Sequence, residues 1–166
     1  MKLISLAILA LAVYAAAIAE TSLASVIEVR HVTPDLFALA AILWQLTAGR
    51  TRGFVVAAAV GLAYDLTAAG PFGLGLGLFA LVGYAIARLR GHLDLDHVAL
   101  QLAVVVAATT TIALGEGAAW RLLGETTLPW STLAVRAASV GVYTTVIAAP
   151  LLLLRSWFQG ARVAAA

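Results

Sequence analysis

The chain runs for long stretches without a charged side chain. Charge-free runs cover Leu3–Ala19, Leu36–Gly49, Gly53–Tyr64, Leu66–Ala87, Val98–Gly115 and Ala137–Leu154. The 166 residues are 63% hydrophobic and 11% charged, with a mean hydropathy of +1.04. A soluble domain is about half apolar and a quarter charged. Its core could not hide this much apolar surface, so the solvent of this chain is lipid. A spanning helix needs about 20 mostly apolar residues, and the shorter runs reach that length when one charge is admitted. The third run extends through Asp65, and the last extends back through Arg136. The second gains a turn from Thr33-Pro34-Asp35, which reads as cap, first helical residue and first-turn acid. The pattern predicts one all-α membrane domain over residues 1–166, a polytopic bundle of six transmembrane helices. They lie at about 3–22, 34–49, 53–69, 71–88, 97–116 and 132–154.

Charge alternates along the connections. Lys2, Arg50, Arg52, Arg88, Arg90, Arg155 and Arg162 fall on one side of such a bundle, seven of the ten basic residues. Lysine and arginine concentrate on the cytoplasmic side, so both termini are expected in the cytoplasm. Trp120 and Trp130 fall near the outer boundary, Trp44 and Trp157 near the inner one, as interfacial aromatics do. Lys2, the following apolar stretch and Ala17-Ile18-Ala19 also resemble a cleavable leader. The length of the apolar stretch favours a retained anchor, and removal would leave five spans in the same orientation. A net charge of +2 gives no footprint for nucleic acid, and a chain without cysteine has no disulfide, thiol nucleophile or cysteine metal site.

The stretch GLAYDLTAAGPFGLGLG, residues 61–77, holds two features that an apolar region should avoid. Gly70 suits the left-handed position after a helix end, and Pro71 suits the first turn of the next helix. The segment therefore reads as a tight turn between the third and fourth spans. Gly73 and Gly77 form a Gly-x-x-x-Gly pair and, with Ala80, Tyr84 and Ala87, give the fourth span a mostly small face suited to close packing. Asp65 lies on the same helical stripe as Ala57 and Gly61. A carboxylate inside the bilayer costs roughly 2.5–3.5 kcal/mol, so it must be paired, hydrated or protonated. Arg136 is the leading partner, with Glu116 nearby, giving a predicted intramembrane network of Asp65, Arg136 and Glu116. The other reading has Arg136 snorkelling to water and Asp65 protonated.

No constellation for chemistry emerges. Intramembrane aspartyl proteolysis needs two carboxylates sharing a proton, and the Gly-x-Gly-Asp motif that would supply the partner is absent. Neither a His-Glu-x-x-His helix nor a Gly-x-Ser-x-Gly elbow is present. His31, His92 and His97 fall in loops. Asp94 and Asp96 read as caps of the fifth helix rather than metal ligands. No catalytic, cofactor or metal site is expected.

Two segments carry a family resemblance: TPDLFALAAILWQLTAGR, from Thr33, and GLAYDLTAAGPFGLGLGLFALVGYAIARLR, from Gly61. Their Pro34-Asp35-Leu36 helix start, Trp44, Gly61 with Asp65-Leu66, Pro71-Phe72-Gly73, and Gly83-Tyr84 running to Arg88-Leu89 resemble the MreD family of rod shape-determining membrane proteins. The likeness covers residues 33–90, about a third of the chain; elsewhere it rests on hydropathy and span count. It implies a non-enzymatic, multi-pass protein of the bacterial inner membrane, acting in cell-wall elongation. The implied partners are MreC and, indirectly, MreB, RodA and a class B penicillin-binding protein. It further implies a fold similar to the substrate-binding subunits of energy-coupling-factor vitamin transporters. Two functions follow: a scaffold that docks MreC and helps organise peptidoglycan synthesis, or a small-molecule-binding or transport subunit with a polar cavity among Asp65, Arg136, Glu116 and Thr109–Thr111.

Overall fold

The structure, a computed structural model, describes residues 32–47, 50–68, 70–92 and 97–164, with positions 11, 14, 15, 17, 18, 20 and 22. Most of the first predicted span lies outside the described residues, although the positions described within it are helical. The caps expected at Asp94 and Asp96 lie outside them altogether.

Among the described residues the architecture is all-helical. Beyond the N-terminal positions they form five helices in order: α1 (Leu36–Thr47), α2 (Arg50–Thr67), α3 (Leu74–Leu89), α4 (Val98–Leu122) and α5 (Trp130–Ala164). Of these, α4 and α5 are long and apolar enough to cross a bilayer, and α1, α2 and α3 are shorter apolar helices. Short connections make successive helices antiparallel, so α2 packs along α3 and α4 along α5. The 12-residue α1 touches all four others and sits at the centre. Its Phe37, Ile42 and Leu46 meet Val56 and Val60 of α2, Phe79 and Ile86 of α3, Val105 and Ile112 of α4, and Leu152 of α5 in one buried cluster. A helix enclosed by others has no need of the length that lipid imposes on a spanning one. The periphery keeps Leu66, Leu81, Val135, Val142, Val146 and Leu153 exposed, which suits an apolar solvent.

The helix starts differ from expectation where side chains cap them. Asp35 is not a first-turn acid: its Oδ1 accepts the Ala38 N–H at 2.7 Å, so it is the N-cap and α1 begins at Leu36. The left-handed glycine of the turn is Gly73 (φ 96°), not Gly70, and α3 begins at Leu74, after Pro71. Gly73 turns its N–H back toward α2, a conformation that costs glycine little. The packed face of α3 is also not the predicted small one. Gly75, Phe79, Val82, Gly83 and Ile86 are buried, whereas Gly77 and Tyr84 are exposed. The backbones of α2 and α3 meet at Gly61 and Gly75. A Cβ on Gly61 would stand 2.6 Å from the Gly75 carbonyl oxygen, and one on Gly77 would meet nothing. Contact at Gly75 fixes the rotation of α3 and leaves the Gly73/Gly77 face outside.

Candidate functional site

Asp65, in the last turn of α2, answers to backbone rather than to a cation. Its Oδ1 accepts the Gly75 N–H at 2.7 Å; its Oδ2 accepts those of Gly73 at 3.0 Å and Leu76 at 2.9 Å. The first N–H groups of a helix lack intrahelical partners and carry partial positive charge. The carboxylate of α2 therefore caps α3 across the turn that separates them. The expected contact with Arg136 is not formed: no ion pair joins Asp65 and Arg136 among the described residues. The partner of the carboxylate is the helix terminus that the glycine turn folds back onto it.

Glu116 and Arg136 meet elsewhere. Between the ends of α1, α2, α4 and α5 lies a cavity of about 270 Å³ lined by Glu20, Asp35, Tyr64, Glu116, Trp120 and Arg136, among others. Arg136, six residues into α5, is exposed at its rim and acts on Glu116 through its charge. Tyr64 stands edge-on to Phe37, with ring centroids 5.6 Å apart, and is tilted against Phe79 at 5.7 Å. Held between α1 and α3, its hydroxyl bonds with the Glu116 carboxylate. Glu20 also works as a cap, its Oε2 accepting the Leu36 N–H at 3.0 Å. Thr144 Oγ1 accepts the Asp35 N–H at 3.0 Å and ties α5 to the start of α1. A second cavity of about 210 Å³, lined by Asp65, Gly70, Pro71 and Gly75, shares Tyr64, Glu116 and Trp120 with the first. Arg121 closes this end of the bundle, with its guanidinium 5.1 Å from the Trp130 ring centroid and bonded to the Leu128 carbonyl.

The family model described as rod shape-determining protein MreD matches residues 1–119. The chain belongs to the MreD family. It is thus a rod shape-determining membrane protein, and the match reaches well beyond residues 33–90, where the motifs lie. No curated protein and no solved structure matches the chain. In this MreD protein the motif residues take distinct places. Pro34 is fully buried before α1, and Gly83 packs against Gln45 and Ala57. Gly70 is exposed and Tyr84 is 55% exposed, on the outside of α3.

The polar lining predicted for Thr109–Thr111 is absent from the cavity. Thr109 and Thr111 donate back to the Val105 and Ala107 carbonyls, each at 2.7 Å, as hydroxyls in helices do. Sequence reasoning missed Glu20 and Tyr64 as cavity residues. Glu20 ends an apolar run as its sole acid, which was a legible signal; Tyr64 carried none, because its role depends on Phe37 and Phe79. Among the described residues no group of three His, Asp or Glu side chains is close enough to hold one metal ion.

Proposed function

We propose that this MreD protein is a non-enzymatic subunit of the bacterial cell-wall elongation complex. It docks MreC in the inner membrane and helps to place peptidoglycan synthesis, with MreB, RodA and a class B penicillin-binding protein as indirect partners. The family match over residues 1–119 carries this reading. The use of the polar residues supports it, since Asp65, Asp35 and Glu20 are each engaged with a helix N-terminus. Acids that hold helix ends together are committed to architecture. With short connections between the described helices, contact surfaces for a partner are helix faces and ends. The finer topology belongs to the same proposal: six crossings counting the N-terminal segment, both termini cytoplasmic, and a fold like the energy-coupling-factor subunits.

Affinity purification of the tagged full-length protein from detergent-solubilised membranes tests the docking. MreC is expected to co-purify, and its consistent absence at matched expression would sink the reading. The chain has no cysteine, so single cysteines placed in each connection report topology directly by their labelling from either side.

The 270 Å³ cavity favours a second reading, that of a small-molecule-binding subunit. It sits at the lower edge of the roughly 300–1,000 Å³ of ligand pockets, and its lining is richer in carboxylates than such pockets usually are. Co-purification of a small ligand or an ATPase module without MreC would move the conclusion to it.

A further inference from the structure

The end of the bundle opposite the cavity brings two guanidiniums to one helix terminus. The last carbonyls of an α-helix lack intrahelical partners and together carry about half a negative charge. Arg90, just past α3, takes two of them at the end of α1: Nη1 donates to the Gln45 carbonyl at 2.8 Å and Nη2 to that of Leu46 at 2.9 Å. Arg155 arrives from α5 at the same place and finds the Leu46 carbonyl occupied. Its Nη2 reaches only to 3.4 Å, and its Nη1 is buried with no hydrogen-bond partner among the described residues. A guanidinium has five donors in a planar fork suited to two oxygens at once, and this pose uses one of them poorly. The described carboxylates Glu20, Asp35, Asp65, Glu116 and Glu125 lie at the other end; Asp94 and Asp96, in the connection after Arg90, lie outside the described residues.

We propose that Arg155 binds an anionic phosphate group, with Arg90 held beside it as a second fixed positive charge. The setting points to the headgroup layer as the source. Arg155 lies 25 residues after Trp130, about 38 Å along the helix, which exceeds a hydrocarbon core of about 30 Å. With Trp130 at one interface, Arg155 stands among the headgroups of the other. Leu151, Leu153 and Leu154 are exposed just before it, and Trp157, two residues on, is 74% exposed. Acyl chains on the leucines deliver a phosphate to the guanidinium, and an indole beside it is typical of that depth. The Arg155 side chain as a whole is only partly buried. Rotation of its terminal bonds therefore exchanges one long bond for a two-pronged contact with a phosphate.

The test uses the full-length protein in nanodiscs of phosphatidylcholine with a minor share of phosphatidylglycerol, and native mass spectrometry of the retained lipids. Wild type is expected to retain phosphatidylglycerol over phosphatidylcholine. Arg155→Gln should reduce that preference about five-fold, the weight of one basic side chain near an anionic lipid, with an unchanged unfolding temperature. Arg121→Gln, at the other end, should leave the preference intact. Arg155→Lys keeps the charge but loses the two-pronged contact, so its preference should fall between those of wild type and Arg155→Gln. A preference equal to that of wild type would overturn the two-pronged contact, and this variant keeps the test open if the glutamine variant folds poorly. Inorganic phosphate in pure phosphatidylcholine discs forms the second arm. Stabilisation of wild type but not of Arg155→Gln there would assign the same site to free phosphate. Equal phosphatidylglycerol preference in wild type and Arg155→Gln, without phosphate stabilisation, overturns the proposal, as does an equal loss in Arg121→Gln.

Discussion

Each end of α1 is held by side chains from distant parts of the chain, and the two ends use opposite charges. At its start, Asp35 and Glu20 accept N–H groups at 2.7 and 3.0 Å. At its finish, Arg90 and Arg155 donate to the Gln45 and Leu46 carbonyls. Both follow from the helix dipole, which favours anions at the N-terminus and cations at the C-terminus. The fit differs, however. Asp65 caps α3 at the carboxylate end with three bonds of 3.0 Å or less, whereas at the arginine end one guanidinium is satisfied and the other is held loosely. The well-fitted end stabilises the bundle, and the loosely fitted one leaves guanidinium donors to spare.

That contrast can be broken by substitution. The largest effect is expected at Asp65. Asp65→Ala removes the acceptor of three N–H groups, and a hydrogen bond to a charged group contributes about 1.5–3 kcal/mol net. A loss of about 3 kcal/mol or more should appear as a lower unfolding temperature in detergent. Arg136→Gln should leave that temperature nearly unchanged; an equal fall in both variants would restore an Asp65–Arg136 pair. Next is Gly75→Ala, whose Cβ would stand 2.6 Å from Asp65 Oδ1 and 2.7 Å from the Tyr64 ring. Overpacking of this kind costs about 1–3 kcal/mol. Gly77→Ala meets nothing and should stabilise α3 by up to about 1 kcal/mol. The same thermal scan separates the two, and equal outcomes would mean that α3 is rotated from the orientation described. Arg90→Gln, which gives up two bonds to α1, is expected to cost about 1–2 kcal/mol. Arg155→Gln should be smallest, under about 0.5 kcal/mol, because its one bond is long. If Arg155 proved as costly as Arg90, the two ends would be equally well fitted and the contrast would fail.

Much of the fold was legible because lipid writes itself into composition. The charge-free runs located the apolar cores of α1 to α5, and the Gly-Pro break marked the α2–α3 turn. The boundaries were less legible wherever a cap came from far away. Sequence alone sets Asp35 two residues too deep, because nothing in Thr33-Pro34-Asp35 reveals that Thr144 would accept its N–H. The face of α3 was misjudged because glycine spacing favours both the Gly73/Gly77 and the Gly75 stripe, and only contact with Gly61 chooses. Asp65, Glu116 and Arg136 stand out in the sequence as charges at or within apolar stretches. The structure brings Glu116 and Arg136 to one cavity and sends Asp65 to a helix end instead.

From its letters alone, the chain determined its solvent, its helical content and the concentration of its basic residues in alternate connections, because these depend on side-chain chemistry and order. Which group each charge would meet was decided only in three dimensions. The partners of Asp65, Asp35 and Arg90 are backbone N–H and C=O groups, which every residue but proline carries alike. They become sites only when the packing of α1 among its neighbours brings an unfinished helix end within reach.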